Sequence, residues 1–231
     1  MQASIEDPPT DEAPRTLIER AYRRLRRDII DGHLAPGHPL RVEHLKGSYE
    51  VSSGTLREAL ALLVSDALVV AQGHRGYRVA PMSLADLEDL TRLRVILENE
   101  AMRESVRVGK DDWEAGLVRA FDRLSLAEQH LRDDAPRHFE EWEACNRQFH
   151  ESLVAACRSP WLLRMRRHLY QQSERYRRLS ATGGPPPVEV HDEHGAIFAA
   201  ALARNADLAC ALLTAHVYRA LSVIGKAGLL R

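Results

Sequence analysis

The sequence predicts a mainly α-helical protein in two parts: three helices closed by a β-hairpin, then an antiparallel all-α bundle of about six helices. Three observations carry this. Apolar residues recur at helical spacing through most of the 231 residues. Two short β-type runs, Leu68-Val69-Val70 and Tyr77-Arg78-Val79, flank Gly73-His74-Arg75-Gly76, a turn with two glycines. Pro81-Met82 then interrupts the pattern, and everything after it reads as helix.

Leu17, Ile18, Ala21, Tyr22, Leu25 and Ile29 form the apolar face of the first helix, and Gly32 suits the position just past its end. The stretch from His33 to Leu40, with Ala35-Pro36-Gly37, reads as a turn. Val42, Leu45 and Tyr49 mark a short second helix. Ser52 is a good N-cap for a third through Leu56, Ala59, Leu60 and Leu63. In the second part, Ser83 with Asp86 caps a long helix whose stripe is Leu84, Leu87, Leu90, Leu93, Leu97 and Ala101, ending near Gly109. Asp111-x-x-Glu114 reads as a capping box for a helix to about Arg132. A third spans about Arg137 to Cys157, and Ser159-Pro160 opens a fourth to about Ser180. Gly183-Gly184-Pro185-Pro186-Pro187 breaks the chain before a fifth helix, about Val188 to Ala203. Asn205-Ala206-Asp207 precedes a last one to about Gly225. The expected domains are 15–82 and 83–231, after an acidic leader over 1–14.

Composition excludes several classes. The chain is 45% hydrophobic and 28% charged, an ordinary globular balance. No run of 18 apolar residues is present, so no membrane span is expected. The leader lacks the apolar core of a secretory signal. Cys145, Cys157 and Cys210 are an odd, widely spaced set that fits buried thiols in a reducing cytoplasm. The net charge of −1 conceals an asymmetry: residues 15–80 carry eleven Lys/Arg against seven Asp/Glu. A mildly basic first domain permits nucleic-acid binding.

A helix, two helices joined by a tight turn and a β-hairpin follow the order of a winged helix-turn-helix. The second helix of the pair must enter a major groove about 12 Å wide, so its first turn needs small polar groups and a cation. Ser52, Ser53, Gly54, Thr55 and Arg57 meet that need, and the tip His74-Arg75-Gly76 is where a wing would reach DNA. The competing reading is a small helical subdomain whose hydroxyls only cap.

In the second part, Asn146-x-x-x-His150 puts two donors on one helical face, while His194 and His216 lie on two further helices. Each is in register with apolar residues: Trp142 and Leu153 for His150, Ile197 and Ala201 for His194, Leu212 and Leu213 for His216. Three inward histidines can converge in a bundle core and hold Zn²⁺, Ni²⁺ or Mn²⁺ with positions left open. An inward histidine is also an ordinary hydrogen-bonded core residue, and His191 competes with His194. Spacing alone leaves these readings open.

Ile30-x-Gly32-x-Leu34-x-Pro36-Gly37-x-x-Leu40, Val51-Ser52, Leu56-Arg57-Glu58-Ala59-Leu60 and Gly76-Tyr77-x-Val79 resemble the GntR superfamily of bacterial transcription regulators across residues 16–82. The resemblance implies that Ser52, Ser53, Thr55, Arg57 and the wing tip, His74, Arg75 and Gly76, contact double-stranded operator DNA. Arg41 would add charge near the backbone. Many relatives carry Arg where this chain has Ser53. Residues 84–225 resemble the FCD ligand-binding domain of the fatty-acid-regulator branch, through Arg94-x-x-Leu97-Glu98, Asn146-x-x-Phe149-His150, Glu193-His194-x-x-Ile197 and Ala209 to His216. That likeness implies a divalent metal on Asn146, His150, His194 and His216, with a small carboxylate effector completing the shell and Arg94 clamping it. Asn146 stands where Asp is usual, which removes one anionic ligand. Arg94 could otherwise pair internally with Glu98 or Glu143, and Arg175-Tyr176-Arg177-Arg178 reads mainly as a solvated or interdomain face.

The expected function is a cytoplasmic, homodimeric repressor without catalytic residues, its operator a palindrome. The rival is a metal-dependent hydrolase or lyase using the three histidines, for which only Glu143 and Glu193 offer a nearby base.

Overall fold

The computed structural model describes residues 14–73, 76–181, 189–226 and 230. Residues 1–13 of the acidic leader, the hairpin residues His74 and Arg75, and the Gly/Pro breaker at 183–187 lie outside them. The chain divides into two compact units, Met1–Pro81 and Met82–Arg231.

In the first unit, α1 (Leu17–Ile30) starts at Thr16, whose hydroxyl accepts from the Glu19 amide. It ends before Gly32, whose φ of +80° needs no Cβ. α2 (Val42–Tyr49) stops at Glu50, a non-glycine residue in left-handed conformation at φ +54°. That one residue makes the tight turn into α3 (Ser53–Ser65), where Ser52 caps by accepting from the Thr55 amide at 3.1 Å. Two strands, β2 (Val69–Ala71) and β3 (Tyr77–Val79), form the expected hairpin. A third strand, β1 (Pro39–Leu40), joins them in the order β1-β3-β2, with Leu40 opposite Tyr77. The segment read as only a turn therefore ends in a strand. Its two residues are too few to show alternation, and Pro39 can sit only on an edge. The core is Leu25, Ile29, Leu40, Leu56, Leu60, Leu63, Leu68 and Val79.

The second unit comprises α4 (Leu84–Val108), α5 (Asp111–Asp133), α6 (Ala135–Leu153), α7 (Pro160–Ala181), α8 (Glu189–Leu202) and α9 (Ala206–Lys226). The strongest packings are α5 on α6, α4 on α9 and α7, and α8 on α9. Met102, Trp113, Leu117, Leu124, Phe149, Leu153, Ile197 and Leu213 fill the core. A side chain at Gly109 would meet the Trp113 ring at 2.6 Å, so glycine lets the chain turn between α4 and α5. α9 is long and apolar enough to pass for a membrane span. Its Asn99–Thr214 hydrogen bond to α4 and its His216 and Arg219 contacts to Glu193 on α8 mark it as a bundle helix.

Three details differ from expectation. Lys110, not Asp111, is the N-cap of α5, so Asp111, Asp112 and Glu114 act through the helix dipole instead. α6 begins at Ala135 under an Asp134 cap, with proline in its first turn, and ends at Leu153, short of Cys157. Most consequentially, α4 buries only Leu87 and Ala101 of its expected stripe, and leaves Leu93 exposed. Thr91, Arg94, Glu98, Ala101, Met102 and Ser105 face inward, whereas Leu93 and Ile96 are exposed. A polar face turned into a bundle signals a site.

Candidate functional site

The inner face of the helical unit brings together the three histidines singled out by sequence. His150 comes from α6, His194 from α8 and His216 from α9, with ring centroids 5.6, 5.4 and 4.7 Å apart for the 150–194, 150–216 and 194–216 pairs. One donor nitrogen of each lies within 4.8 Å of the others. His194 is completely buried and His150 nearly so.

Carboxylates aim two of the rings. Glu128 on α5 accepts from His194 Nδ1 at 2.7 Å, and Glu193 accepts from His216 Nδ1 at 2.7 Å. A ring whose Nδ1 is so occupied has only Nε2 to offer. Nε2 of His194 and Nδ1 of His150 are buried without a hydrogen-bond partner among the described residues. Such an orphan costs about 1–3 kcal/mol, and two of them belong to this one group of histidines. Burial, reinforced by its neighbours His216 and His194, pushes the His150 imidazole well below its ordinary range. Burial likewise takes His216 down to about 4, against the pull of Glu193. Two unpartnered imidazole nitrogens, in a group of three histidines whose donor atoms lie within 4.8 Å of one another, form a donor set that fits a divalent metal.

Asn146, one turn before His150, is buried and donates its amide to the Tyr170 hydroxyl at 3.0 Å. That leaves its carbonyl oxygen as the atom it can offer a cation. His191 contacts the second Glu128 oxygen at 2.6 Å, but it is partly exposed and stands outside the group formed by His150, His194 and His216.

Beside the histidines lies a buried arginine cluster. Three guanidiniums face the Tyr170 ring: Arg94 at 4.7 Å, Arg166 at 5.2 Å and Arg177 at 4.4 Å. Arg94 pairs with Glu98 at 3.1 Å and reaches Ser173. Arg166 bonds the other Glu98 oxygen at 2.9 Å and the His150 carbonyl at 2.9 Å. Glu143 belongs to Arg177. Thus the internal partner of Arg94 is Glu98, and the arginine run from 175 is no solvated face: Arg175 is buried and Arg177 enters the cluster. Neither base required by a hydrolase is available, since Glu143 and Glu193 are both engaged.

Sequence reasoning missed Glu128, Arg166 and Tyr170. Glu128 had a readable signal: it continues the apolar row Leu117, Leu124 and Leu131 of α5, where a carboxylate needs a partner. A separate cavity of about 520 Å³ opens between α5, α6 and α7, lined by Arg119, Arg123, Glu151, Arg166 and Arg167 among others. None of the three histidines lines it, and the orphaned nitrogens outweigh cavity size as a pointer to chemistry.

In the first unit, Ser52 and Thr55 hydroxyls lie 2.9 Å apart at the start of α3, and Ser53 donates to Glu43 at 3.3 Å. Arg57 and Arg41 are exposed. Gly76 closes the hairpin at φ +84°, a conformation open to glycine. His74 and Arg75 lie outside the described residues.

A three-helix winged unit followed by a six-helix unit with an inward polar site is the domain arrangement of a DNA-binding transcription regulator. The chain belongs to the GntR family of bacterial regulatory proteins, which matches residues 17–79, and carries an FCD domain over residues 89–219. It is 48% identical to the uncharacterized HTH-type transcriptional regulator BphR of Paraburkholderia xenovorans, over 94% of this chain and 89% of that protein. It is 35% identical to the HTH-type transcriptional repressor GlaR of Escherichia coli, over 89% of this chain and 94% of that protein. Among solved structures, E. coli McbR/YncC superposes with a TM-score of 0.73 at 20% identity, covering 92% of this chain and 98% of that one, and so supports the fold. The protein is a transcription regulator, not an enzyme.

Proposed function

We propose that this chain is a cytoplasmic repressor acting as a homodimer on a palindromic operator, and that a small carboxylate bound at a metal-containing pocket controls its DNA affinity. The observation that carries the pocket is the pair of orphaned, buried imidazole nitrogens on His150 and His194. Asn146, His150, His194 and His216 would hold the ion, of zinc, nickel or manganese type. A bound cation supplies positive charge for a ligand carboxylate. Arg94 shares the carboxylate of Glu98 with Arg166, which also meets Glu151 at 3.4 Å, so the Arg94 guanidinium is the group with donors to offer an anionic guest.

On the DNA side, Ser52, Ser53, Thr55 and Arg57 sit at the start of the recognition helix, with Arg41 nearby and the wing tip His74, Arg75 and Gly76 for the adjacent groove or backbone. The name of GlaR favours repression. Exposed Leu93 and Ile96 on α4 offer an apolar patch for a second copy.

Metal content of untagged protein tests the reading. About one ion per chain at the histidine cluster, lost in a His150→Ala, His194→Ala variant, is expected. No uptake there of Zn²⁺, Ni²⁺ or Mn²⁺ would overturn the metal-anchored mechanism.

A further inference from the structure

A second group of histidines and a carboxylate sits away from the inner cluster, where α5 turns into α6. His130 occupies the last turn of α5, while His138 and Glu141 lie three residues apart on one face of α6. Both imidazoles converge on a single oxygen. His130 Nδ1 is 3.4 Å and His138 Nδ1 is 3.2 Å from Glu141 Oε2. The rings are 5.2 Å apart, and one donor atom of each residue lies within 4.8 Å of the others.

The distances separate this group from the hydrogen bonds of the inner site. There, Glu128 and Glu193 hold their histidines at 2.6 to 2.7 Å. Ring N–H···O bonds run from about 2.7 to 3.2 Å, so both contacts to Glu141 are at or beyond the long end. Tetrahedral zinc with ligands at about 2.0–2.2 Å sets neighbouring donor atoms roughly 3.3–3.6 Å apart. The contacts of 3.2 and 3.4 Å are close to edges of such a tetrahedron. Two imidazoles and one carboxylate are a zinc-type donor set with one position left for water. Because α5 ends at Asp133 and α6 begins at Ala135, the donors are already held close by a short turn. Little chain ordering is needed to complete the site.

We propose that His130, His138 and Glu141 form a second divalent-cation site, of zinc type, at the outer end of the α5–α6 pair. The three side chains are partly exposed, so this site exchanges with bulk cation, in contrast to the enclosed inner cluster. Its two helices are those that carry Glu128 and His150 inward. An ion here ties the end of α5 to the start of α6 and stiffens the pair from outside.

The test counts zinc in the full-length, untagged protein after equilibration with Zn²⁺ and gel filtration. Wild type should hold two ions, His138→Ala one, the His150→Ala, His194→Ala variant one, and the combined variant none. Glu141→Gln, at a half-exposed position that leaves the fold undisturbed, should weaken the outer ion at least tenfold while circular dichroism stays unchanged. A wild-type count that neither His138→Ala nor Glu141→Gln lowers overturns the outer site and leaves the inner one standing. An ion that survives loss of the inner histidines but not of His138 supports the outer site even if the inner reading fails.

Discussion

Glu128 accepts a hydrogen bond from His194 Nδ1 at 2.7 Å, from a helix otherwise committed to the apolar core. This contact decides which nitrogen of His194 faces His150 and His216. Burial alone would raise the Glu128 carboxyl, but His194 and His191 outweigh it and hold it below its usual range, so it stays ionised. The same contact fixes the orientation of the His194 ring beside it.

Replacing Glu128 with Gln should therefore lower metal affinity about 10–100-fold, read by competition with a chelator of known affinity. His191→Ala, which removes the contact to the other Glu128 oxygen and the stack on Phe121, should change affinity far less. An unchanged constant in Glu128→Gln would mean that packing alone orients His194.

Asn146→Asp restores an anionic donor one turn from His150. The Tyr170 hydroxyl can donate to the new carboxylate in place of accepting from the amide. Metal affinity should rise at least tenfold, and the dependence of metal retention on a bound carboxylate should weaken. Chelator competition with and without a small dicarboxylate measures both. Equal affinities for Asn and Asp would place position 146 outside the coordination shell.

Much of this was legible because the chemistry follows short-range patterns. Three histidines on three amphipathic helices, Ser52 as a cap and the two-glycine hairpin are all local signals, and each helix they predicted is present. Strand β1 was not legible, because it exists only through pairing with β3. The inward face of α4 was misread for a physical reason: Leu90, Leu93 and Leu97 carry the apolar periodicity, yet the adjacent Thr91, Arg94 and Glu98 are the ones buried. Periodicity finds apolar faces, and a buried ion-pair network runs against it. Arg166 and Tyr170 complete that network from α7, a long-range contact that no spacing within α4 could reveal.

At the DNA end, Ser52 and Arg57 should separate stability from binding. Ser52→Ala removes the cap on the Thr55 amide and should cost about 1 kcal/mol of stability, seen as a lower urea midpoint. Arg57→Ala, on an exposed surface, should leave that midpoint unchanged. It should weaken binding to a duplex selected by the protein from a random pool. If Arg57 meets a phosphate, the slope of log affinity against log salt falls by about 1. If it meets a guanine edge, the slope holds and discrimination at one base pair is lost. No change in binding would remove Arg57 from the interface.

Glu98 gives the helical unit an acid-sensitive point at its buried arginines. Burial would raise its carboxyl, but Arg166 and Arg94 outweigh that and hold it below the usual carboxylate range. In the unfolded chain it returns to an ordinary value. A depressed native carboxyl contributes stability that is complete above the unfolded pKa and is lost as pH falls through the folded one. Wild-type stability should thus hold down to about pH 4.5 and decline below it, as protonation of Glu98 takes away the carboxylate that Arg94 pairs with and the nearer of the two that Arg166 meets. Glu98→Gln should be less stable near neutrality by about 3–5 kcal/mol, the penalty for unpairing buried charges. Its stability should also fall less steeply in the acid range. Urea midpoints from about pH 7 to 3 measure both, spanning the window over which a depressed carboxyl titrates. Parallel curves for the two proteins would place the acid-sensitive carboxylate elsewhere.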